Sequence, residues 1–286
     1  MPETKRVNVA LIGFGRMGKI RFEALTTTLV TSTRLVYVVD KFPEIPQKII
    51  TERYGDDNPG PKVIGFDQLN LVWNDKRRFD PAYQRITNAV RSGSLGEIQL
   101  LNHVFGDHPE PDTSTLSGLG SIFLDMTFHC IDSFNELIPN ASWAEINATA
   151  MAWKQSYAEQ NTHDCCSFTV KYSTGTIGVA SVVRYAPYGY ENRLEVIGTK
   201  GAMVAENQRP DSVIARSERG DLLTSIEYSF PQRYKVAFQD EVAHFLQVVK
   251  GKAEMAVTKD QVLNVMRMIS AAEQSNKNKS VVKIDL

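Results

Sequence analysis

Three polar residues share one face of a helix that the sequence predicts over residues 121–138. Asp125, His129 and Asp132 stand at i, i+4 and i+7, the spacing of side chains on one helical face. A carboxylate one turn from a histidine can fix the imidazole tautomer and raise its basicity. A general base needs this when it takes a proton from an alcohol while hydride leaves for a nicotinamide. Asp125 and His129 are therefore candidate catalytic residues.

Other interpretations of this stripe stay open. Taken alone, an Asp–His–Asp stripe more often belongs to a solvated cluster, or to one whose hydrogen bonds are satisfied in the core. A metal ion would need a third ligand at suitable spacing, and the sequence offers none. The opposite helical face is apolar and is expected to pack inward; its members are Phe123, Cys130, Phe134 and Leu137. Of the remaining histidines, His108 is the one whose role the sequence leaves most open.

A second constellation lies near the start of the chain. A strand-like run, Val7–Ile12, leads into a glycine turn and a helical segment, and a second strand-like run ends at Asp40. The first glycine permits a tight turn, the second lets a pyrophosphate approach the backbone, and the third lets the helix pack on the strand. The residues of the turn are Gly13, Phe14, Gly15, Arg16, Met17 and Gly18. Together with Asp40 they are candidate cofactor-binding residues.

Asp40 indicates which dinucleotide the turn would bind. A carboxylate about 20 residues after the glycines would accept hydrogen bonds from a ribose diol and repel a 2′-phosphate. The pattern therefore favours NAD over NADP. Without the glycines, Asp40 would fit a solvated turn residue equally well.

The elements that must position these residues indicate an α/β fold with one short domain. A third strand is predicted at Lys62–Phe66 and a helix start at Asp67, while Asp80 and Pro81 suit the N-cap and first turn of another helix. A complete dinucleotide-binding fold has two βαβαβ halves, and only about three strands fit before Asp80. We predict a truncated Rossmann-type parallel-sheet domain over residues 1–75 and an α/β domain with an open antiparallel sheet over residues 76–286.

The second domain carries strand-like runs with alternating polarity, which predicts a sheet with one covered face. These runs are Glu97–Leu101, Glu145–Thr149, Ser167–Tyr172, Ile177–Val183 and Arg193–Ile197. Two helices follow. One is predicted over Gln239–Lys250, with Val242, Phe245, Leu246 and Val249 on its apolar face. The other begins at Thr258 with a capping-box pattern and leads to a last strand at Val281–Ile284.

The composition excludes several classes of function. The net charge is −1, with 42% hydrophobic and 23% charged residues, so nothing predicts binding to nucleic acid or to a membrane surface through bulk charge. Three cysteines without a C-x-x-C pair predict neither a disulfide framework nor a cysteine zinc site. Neither a signal peptide nor a membrane-spanning run is predicted, so we expect a cytoplasmic protein.

Several motifs, in order along nearly the whole chain, resemble the Gfo/Idh/MocA oxidoreductase family and, within it, the inositol dehydrogenases. They are Gly13–Gly18, Arg77–Pro81, Ile122–His129, Tyr188–Arg193, Gly198–Gly201 and Arg233-Tyr234. The resemblance implies a Rossmann domain and an α/β domain with an open antiparallel sheet. It also implies NAD(H), a cyclic polyol or sugar as substrate, and a homo-oligomer formed through that sheet.

The resemblance also assigns roles to individual residues. His129 matches the catalytic histidine of the family, Asp125 its carboxylate partner, and Asp132 the acid that usually follows. Tyr234 lies where inositol dehydrogenases tend to place a substrate-facing tyrosine, although a half-buried interface aromatic fits that position equally well. Asp125, His129 and Tyr234 are therefore the candidate substrate-binding residues.

One departure from the family pattern matters for activity. The family carries a Glu-Lys-Pro motif whose lysine helps to bind substrate and move the proton, and this sequence has no such tripeptide. About 65 residues are absent at a junction near Leu71–Asn74, where the second half of the Rossmann fold would stand. Two hypotheses follow: an NAD-dependent dehydrogenase acting on a cyclic polyol or sugar, or a catalytically impaired truncated isoform or pseudoenzyme that acts as a binding or oligomer partner.

Overall fold

The computed structural model describes residues 6–40, 44–55, 60–64, 75–112, 116 and 120–283. The chain divides into two compact units, one formed by residues 1–79 and 236–256, the other by residues 80–235 and 257–286. This division corrects the predicted boundary after residue 75, because residues 236–256 return to the first unit. Predicted features at Phe66, at Asp67 and at the junction Leu71–Asn74 lie outside the described residues.

The helices of the described residues are α1 (Arg16–Thr26), α2 (Glu44–Tyr54), α3 (Pro81–Arg91), α4 (Phe128–Leu137), α5 (Gln155–Glu159), α6 (Phe230–Arg233), α7 (Lys235–Val249) and α8 (Lys259–Asn278). A 3₁₀ turn covers Lys76–Phe79, and a π-helical turn covers Phe123–Thr127. The strands are β1 (Val7–Ile12), β2 (Thr33–Val39), β3 (Lys62–Ile64), β4 (Ile98–Gly106), β5 (Trp143–Met151), β6 (Cys165–Tyr172), β7 (Ile177–Val183), β8 (Glu191–Gly198), β9 (Gly201–Ala205), β10 (Ile214–Ser217), β11 (Gly220–Leu223) and β12 (Val282–Lys283).

The first unit contains a parallel sheet of the order β1-β2-β3, with α1 between β1 and β2 and α2 between β2 and β3 in the chain. This confirms the predicted sequence of strand, glycine turn, helix and strand. Its core is a small apolar cluster formed by Leu11, Phe14, Phe22, Val38 and Ile50. Within the described residues β1 and β3 form the two edges of this sheet.

Helix α7 joins the first unit through a long-range ion pair. Glu241 on α7 accepts from the Arg21 guanidinium of α1 at 2.8 Å, and its side chain is almost fully buried. Burial raises the pKa of Glu241, and the nearby Arg21 lowers it. The predicted apolar face of α7 is only half correct, because Val242 and Leu246 are buried whereas Phe245 and Val249 are exposed.

The second unit is built on a seven-stranded sheet of the order β12-β5-β6-β7-β4-β8-β9. All five strands predicted for it are present. The antiparallel prediction is wrong for one pair, because β4 and β7 run parallel, in register from Leu100↔Ile177 to Gly106↔Val183. The sheet is therefore mixed, and the ends of β4 and β7 meet at the same edge.

One face of this sheet is covered by α4 and α8, as predicted. Along β7, for example, Ala180 and Val182 are buried, whereas Ile177 and Ser181 are exposed. Helix α8 begins with the predicted capping box, in which Thr258 Oγ1 accepts from the backbone N–H of Gln261 and the Gln261 side chain accepts from the backbone N–H of Thr258. The sequence pattern therefore identified both the covered face and the start of the helix that covers it.

Asp80 has a dual role at the start of the second unit. Its Oδ1 accepts from the backbone N–H groups of Ala82 and Tyr83, which confirms the predicted N-cap of α3. Its Oδ2 also lies 2.5 Å from Nη1 of Arg233, and both side chains are only 1% exposed. The sequence did not predict this buried ion pair, because the two residues lie 153 positions apart.

We expect Asp80→Ala to lower the free energy of unfolding by about 3–5 kcal/mol, because it leaves the Arg233 guanidinium buried without its counter-charge. Urea unfolding followed by circular dichroism measures this loss. The matched control is Thr258→Ala, which removes an exposed N-cap and should cost about 1 kcal/mol. Equal losses in the two variants would show that the ion pair contributes nothing beyond the cap.

Candidate active site

The glycine turn of the first unit has the predicted local geometry. Gly13 adopts a φ of +80°, a left-handed conformation that side chains disfavour. At Gly18 an added Cβ would lie 1.9 Å from the carbonyl oxygen of Gly13, so α1 packs here as only glycine allows. The turn and close-packing roles predicted for these two glycines are confirmed.

The same turn leaves space suited to a phosphate. A Cβ built on Gly13 or Gly15 would meet no atom of the described chain within 4 Å. Gly15 is the N-cap of α1, its side-chain position provides no capping hydrogen bond, and the first turn of the helix contains no acidic residue. The N–H groups and positive end of the helix dipole therefore face an open approach, and these residues fit the pyrophosphate of a dinucleotide.

Asp40 follows β2 and contacts the turn directly. Its Oδ2 accepts a 2.5 Å hydrogen bond from the backbone N–H of Phe14. The Phe14 ring packs edge-to-face on Phe22 in the apolar cluster. Phe14 could therefore contact a cofactor only through its backbone. Arg16 and Met17 occupy the first turn of α1. Contacts of these residues with a cofactor stay predictions.

The helix that carries Asp125 and His129 differs from the regular helix that the sequence predicts. Asp125 lies in the π-helical turn, and His129 lies in the first turn of α4. A π turn replaces i→i+4 bonding by i→i+5 bonding and is frequent at functional sites. The simple i, i+4, i+7 face is therefore interrupted, and Asp132 is buried in α4. The direct pairing of Asp125 with His129 stays a prediction.

His129 is half-buried between aromatic rings. Its ring centroid lies 6.1 Å from that of Phe105 on β4 and 5.7 Å from that of Phe128, both in edge-to-face geometry. The apolar helix face predicted beside it is confirmed, since all four of its members are buried. These contacts restrict rotation of the imidazole at the edge of the covered sheet face.

Sequence reasoning missed Arg184, the residue directly after β7. Its guanidinium is 1% exposed and lies 2.5 Å from Oδ2 of Asp125. The local sequence offered no signal for its burial, because β7 is buried on one face only and an arginine after such a strand is usually exposed. The partner was not predictable, because Asp125 lies 59 positions earlier in the chain.

His108 lies at the same end of the sheet and has a defined tautomer. Its Nδ1 lies 2.9 Å from the carbonyl oxygen of Ala186 and must carry the hydrogen, because a carbonyl oxygen only accepts. Its ring stacks on Tyr185 at 5.6 Å and meets Tyr228 edge-on at 4.6 Å. This hydrogen bond fixes the orientation of the ring and leaves Nε2 as its second ring nitrogen.

Tyr234 is completely buried and belongs to a polar network. Its hydroxyl accepts from the side-chain amide of Asn192, whose oxygen accepts from the hydroxyl of Tyr83 at 2.8 Å and lies 2.7 Å from Nε2 of His103. The Arg233 guanidinium lies 4.6 Å from the centroid of the Tyr234 ring. The structure gives Tyr234 a packing role, and its contact with substrate stays a prediction.

The described residues contain no group of three His, Cys, Asp or Glu side chains that could hold a metal ion. Cys130, Cys165 and Cys166 form no disulfide. Burial raises the pKa of Cys166, so this thiol stays protonated at neutral pH. No helix in the described ranges is both long and apolar enough to cross a membrane.

We expect Tyr234→Phe to lower the free energy of unfolding by about 1–3 kcal/mol, because the buried amide of Asn192 loses an acceptor. Thermal and urea unfolding measure the change. Tyr37→Phe, which alters an exposed ring, is the control and should have little effect. A variant of unchanged stability with a raised KM for polyol would contradict the packing role and support contact with substrate.

Comparison with known proteins finds similarity to one group of oxidoreductases. Residues 83–204 match the GFO/IDH/MocA C-terminal domain. Inositol 2-dehydrogenase of Rhizobium meliloti is 28% identical over 223 residues, which are 78% of this chain and 68% of that protein. Myo-inositol 2-dehydrogenase of Thermotoga maritima is 28% identical over 209 residues, 73% of this chain and 63% of that protein. The aligned part of this chain thus spans about two thirds of the length of these relatives.

The fold also matches solved structures. A myo-inositol dehydrogenase of Corynebacterium glutamicum superposes with a TM-score of 0.85 at 22% identity, covering 99% of this chain and 100% of that chain. This likeness shows a shared α/β fold. The chain is similar to GFO/IDH/MocA proteins, and residues 83–204 resemble their C-terminal domain.

Proposed function

We propose that this chain is an NAD-dependent dehydrogenase that oxidises a CH–OH group of a cyclic polyol, with inositols as the substrate class. Two features together carry the proposal. One is the glycine turn, which leaves space for a phosphate and whose Phe14 N–H donates to Asp40. The other is the half-buried His129, which follows the π turn that contains Asp125. Support also comes from a structural neighbour, scyllo-inositol dehydrogenase of Lactobacillus casei, solved with NAD(H) and scyllo-inositol.

The residues of the first unit would hold the cofactor. The N–H groups at the start of α1 would bind the pyrophosphate, Gly15 would admit it to the backbone, and Asp40 would accept hydrogen bonds from the ribose hydroxyls. The carboxylate of Asp40 disfavours a 2′-phosphate, so NAD is preferred over NADP. When bound, the nicotinamide supplies a hydride acceptor.

The residues of the second unit would handle the proton. His129 takes the proton of the substrate hydroxyl, the C–H hydrogen leaves with its electron pair as hydride, and the C–O bond becomes a carbonyl. Asp125 orients the imidazole and stabilises the imidazolium that forms. The family's lysine has no counterpart in a Glu-Lys-Pro motif here. His129 therefore carries the proton transfer in this proposal, so its imidazole must be accurately positioned.

The open face of the seven-stranded sheet would join copies of the chain. Ile177, Val183 and Val204 are exposed large hydrophobic side chains of its strands β7 and β9. Burial of such residues against a second sheet would remove apolar surface from water, which is the driving force of most homo-oligomer interfaces. Both the homo-oligomer and the cytoplasmic location remain proposals.

The direct test of activity is NADH formation, followed by absorbance, with myo-inositol and scyllo-inositol. We expect turnover in the unaltered chain and a loss of about 10²–10⁴-fold in kcat for His129→Ala, since general-base catalysis contributes that much. His244→Ala is a control, because this histidine packs on Phe79 in the first unit. NAD binding without turnover would instead support the catalytically impaired binding partner.

Cofactor binding has its own test in two neighbouring glycines. Gly18→Ala places a Cβ against the Gly13 carbonyl, so we expect loss of both thermal stability and NAD affinity. Gly15→Ala meets no protein atom within 4 Å and has an ordinary negative φ, so we expect unchanged stability and weaker NAD binding. Calorimetric titration and thermal unfolding separate the two effects. Full NAD affinity in Gly15→Ala would contradict the assigned approach of the pyrophosphate.

A further inference from the structure

Arg184 uses every nitrogen of its guanidinium to hold the segments around the candidate acid–base pair. Nε donates to the carbonyl oxygen of His163 at 3.0 Å, and Nη2 donates to that of Gly120 at 3.0 Å. Nη1 donates to Oδ2 of Asp125 at 2.5 Å. These acceptors belong to the segment before β6, the approach to the π turn, and the π turn itself. A single planar group therefore fixes three chain segments against the end of β7.

Only one of these acceptors carries charge. A buried guanidinium requires a counter-charge, because an unpaired buried ion is strongly destabilising. The two carbonyl oxygens satisfy hydrogen bonds, and Asp125 balances the charge. The Asp125 side chain is 31% exposed, whereas that of Arg184 is 1% exposed. The carboxylate therefore binds a buried guanidinium and is itself partly accessible to solvent.

The other ionisable groups nearby are engaged elsewhere. Asp164 accepts from the backbone N–H groups of Trp153 and Lys154 at 2.9 Å, and Glu110 binds the Lys154 ammonium at 2.5 Å. Burial raises the pKa of Tyr157 to about 12, with Glu110 raising and Arg184 lowering it, so its phenol is neutral at working pH. These groups leave Asp125 as the carboxylate that pairs with the guanidinium.

We propose that Arg184 is a positioning residue that acts through Asp125. It fixes the carboxylate within the π turn, four residues before His129, so that Asp125 orients the imidazole. This inference rests on the proposed function, because Asp125 and His129 must be the acid–base pair. It assigns the substrate proton to His129 and not to Asp125, whose Oδ2 is already engaged with the guanidinium.

The test compares Arg184→Met, Arg184→Lys, Asp125→Asn and the double variant Arg184→Met/Asp125→Asn. We expect Arg184→Met to lower kcat about 10²-fold through misplacement of the carboxylate, with KM for NAD unchanged. Arg184→Lys keeps the charge and should recover part of kcat. Because both residues act in one unit, the double variant should lose no more than Asp125→Asn alone. Multiplicative losses in the double variant would overturn the proposal.

A second measurement does not depend on turnover or on the folding of the Arg184 variants. The ¹H–¹⁵Nε resonance of the buried Arg184 guanidinium is recorded in the unaltered chain and in Asp125→Asn. We expect a clear shift in Asp125→Asn and none in Glu273→Gln, which removes an exposed carboxylate that accepts from Ser121 beside the same segment. An unmoved resonance in Asp125→Asn would overturn the proposal. Absence of turnover in the unaltered chain would instead overturn the proposed function and leave this readout valid.

Discussion

The candidate site of the second unit depends on the buried guanidinium of Arg184. This group requires hydrogen-bond acceptors and a negative counter-charge. The parallel pair β4–β7 determines where that guanidinium lies, since the carboxyl ends of parallel strands meet at one edge of a sheet. Beyond that edge the backbone N–H of Asp107 donates to Val183 and that of Ala186 donates to Asp107. The segments after both strands are thereby joined, which places His108 and Arg184 at the same end of the sheet.

Features governed by local rules were predictable from the sequence. The glycine spacing predicted the turn between β1 and α1, because a positive φ and a close helix approach each require glycine at a defined position. Asp80 and Thr258 were correctly identified as N-caps from their side-chain chemistry and the residues after them. The alternation of polar and apolar residues located the strands of the large sheet and its covered face. This pattern is local as well, because every second side chain of a strand points to the same face of the sheet.

Features that depend on distant residues were not predictable. The pair Arg21–Glu241 spans 220 positions, and it brings α7 into the first unit against the expected boundary and helix face. The pair Arg184–Asp125 was missed because its residues lie 59 positions apart. The π turn was missed because a helical periodicity argument assumes an uninterrupted α-helix. The parallel β4–β7 pair was missed because the alternation of polar and apolar residues along a strand does not reveal the direction in which the strand runs. The absence of a Glu-Lys-Pro motif is plain in the sequence, but its structural consequence near residues 65–74 lies outside the described residues.

The proposed function requires this chain to transfer hydride from a polyol carbon to NAD without the lysine of a Glu-Lys-Pro motif. The most direct measurement uses inositol deuterated at its ring carbons, with NAD as acceptor and mass spectrometry of the reduced cofactor. We expect deuterium in the dihydronicotinamide ring, together with formation of the corresponding ketone. Bound NAD that acquires no deuterium from any inositol isomer would contradict the account.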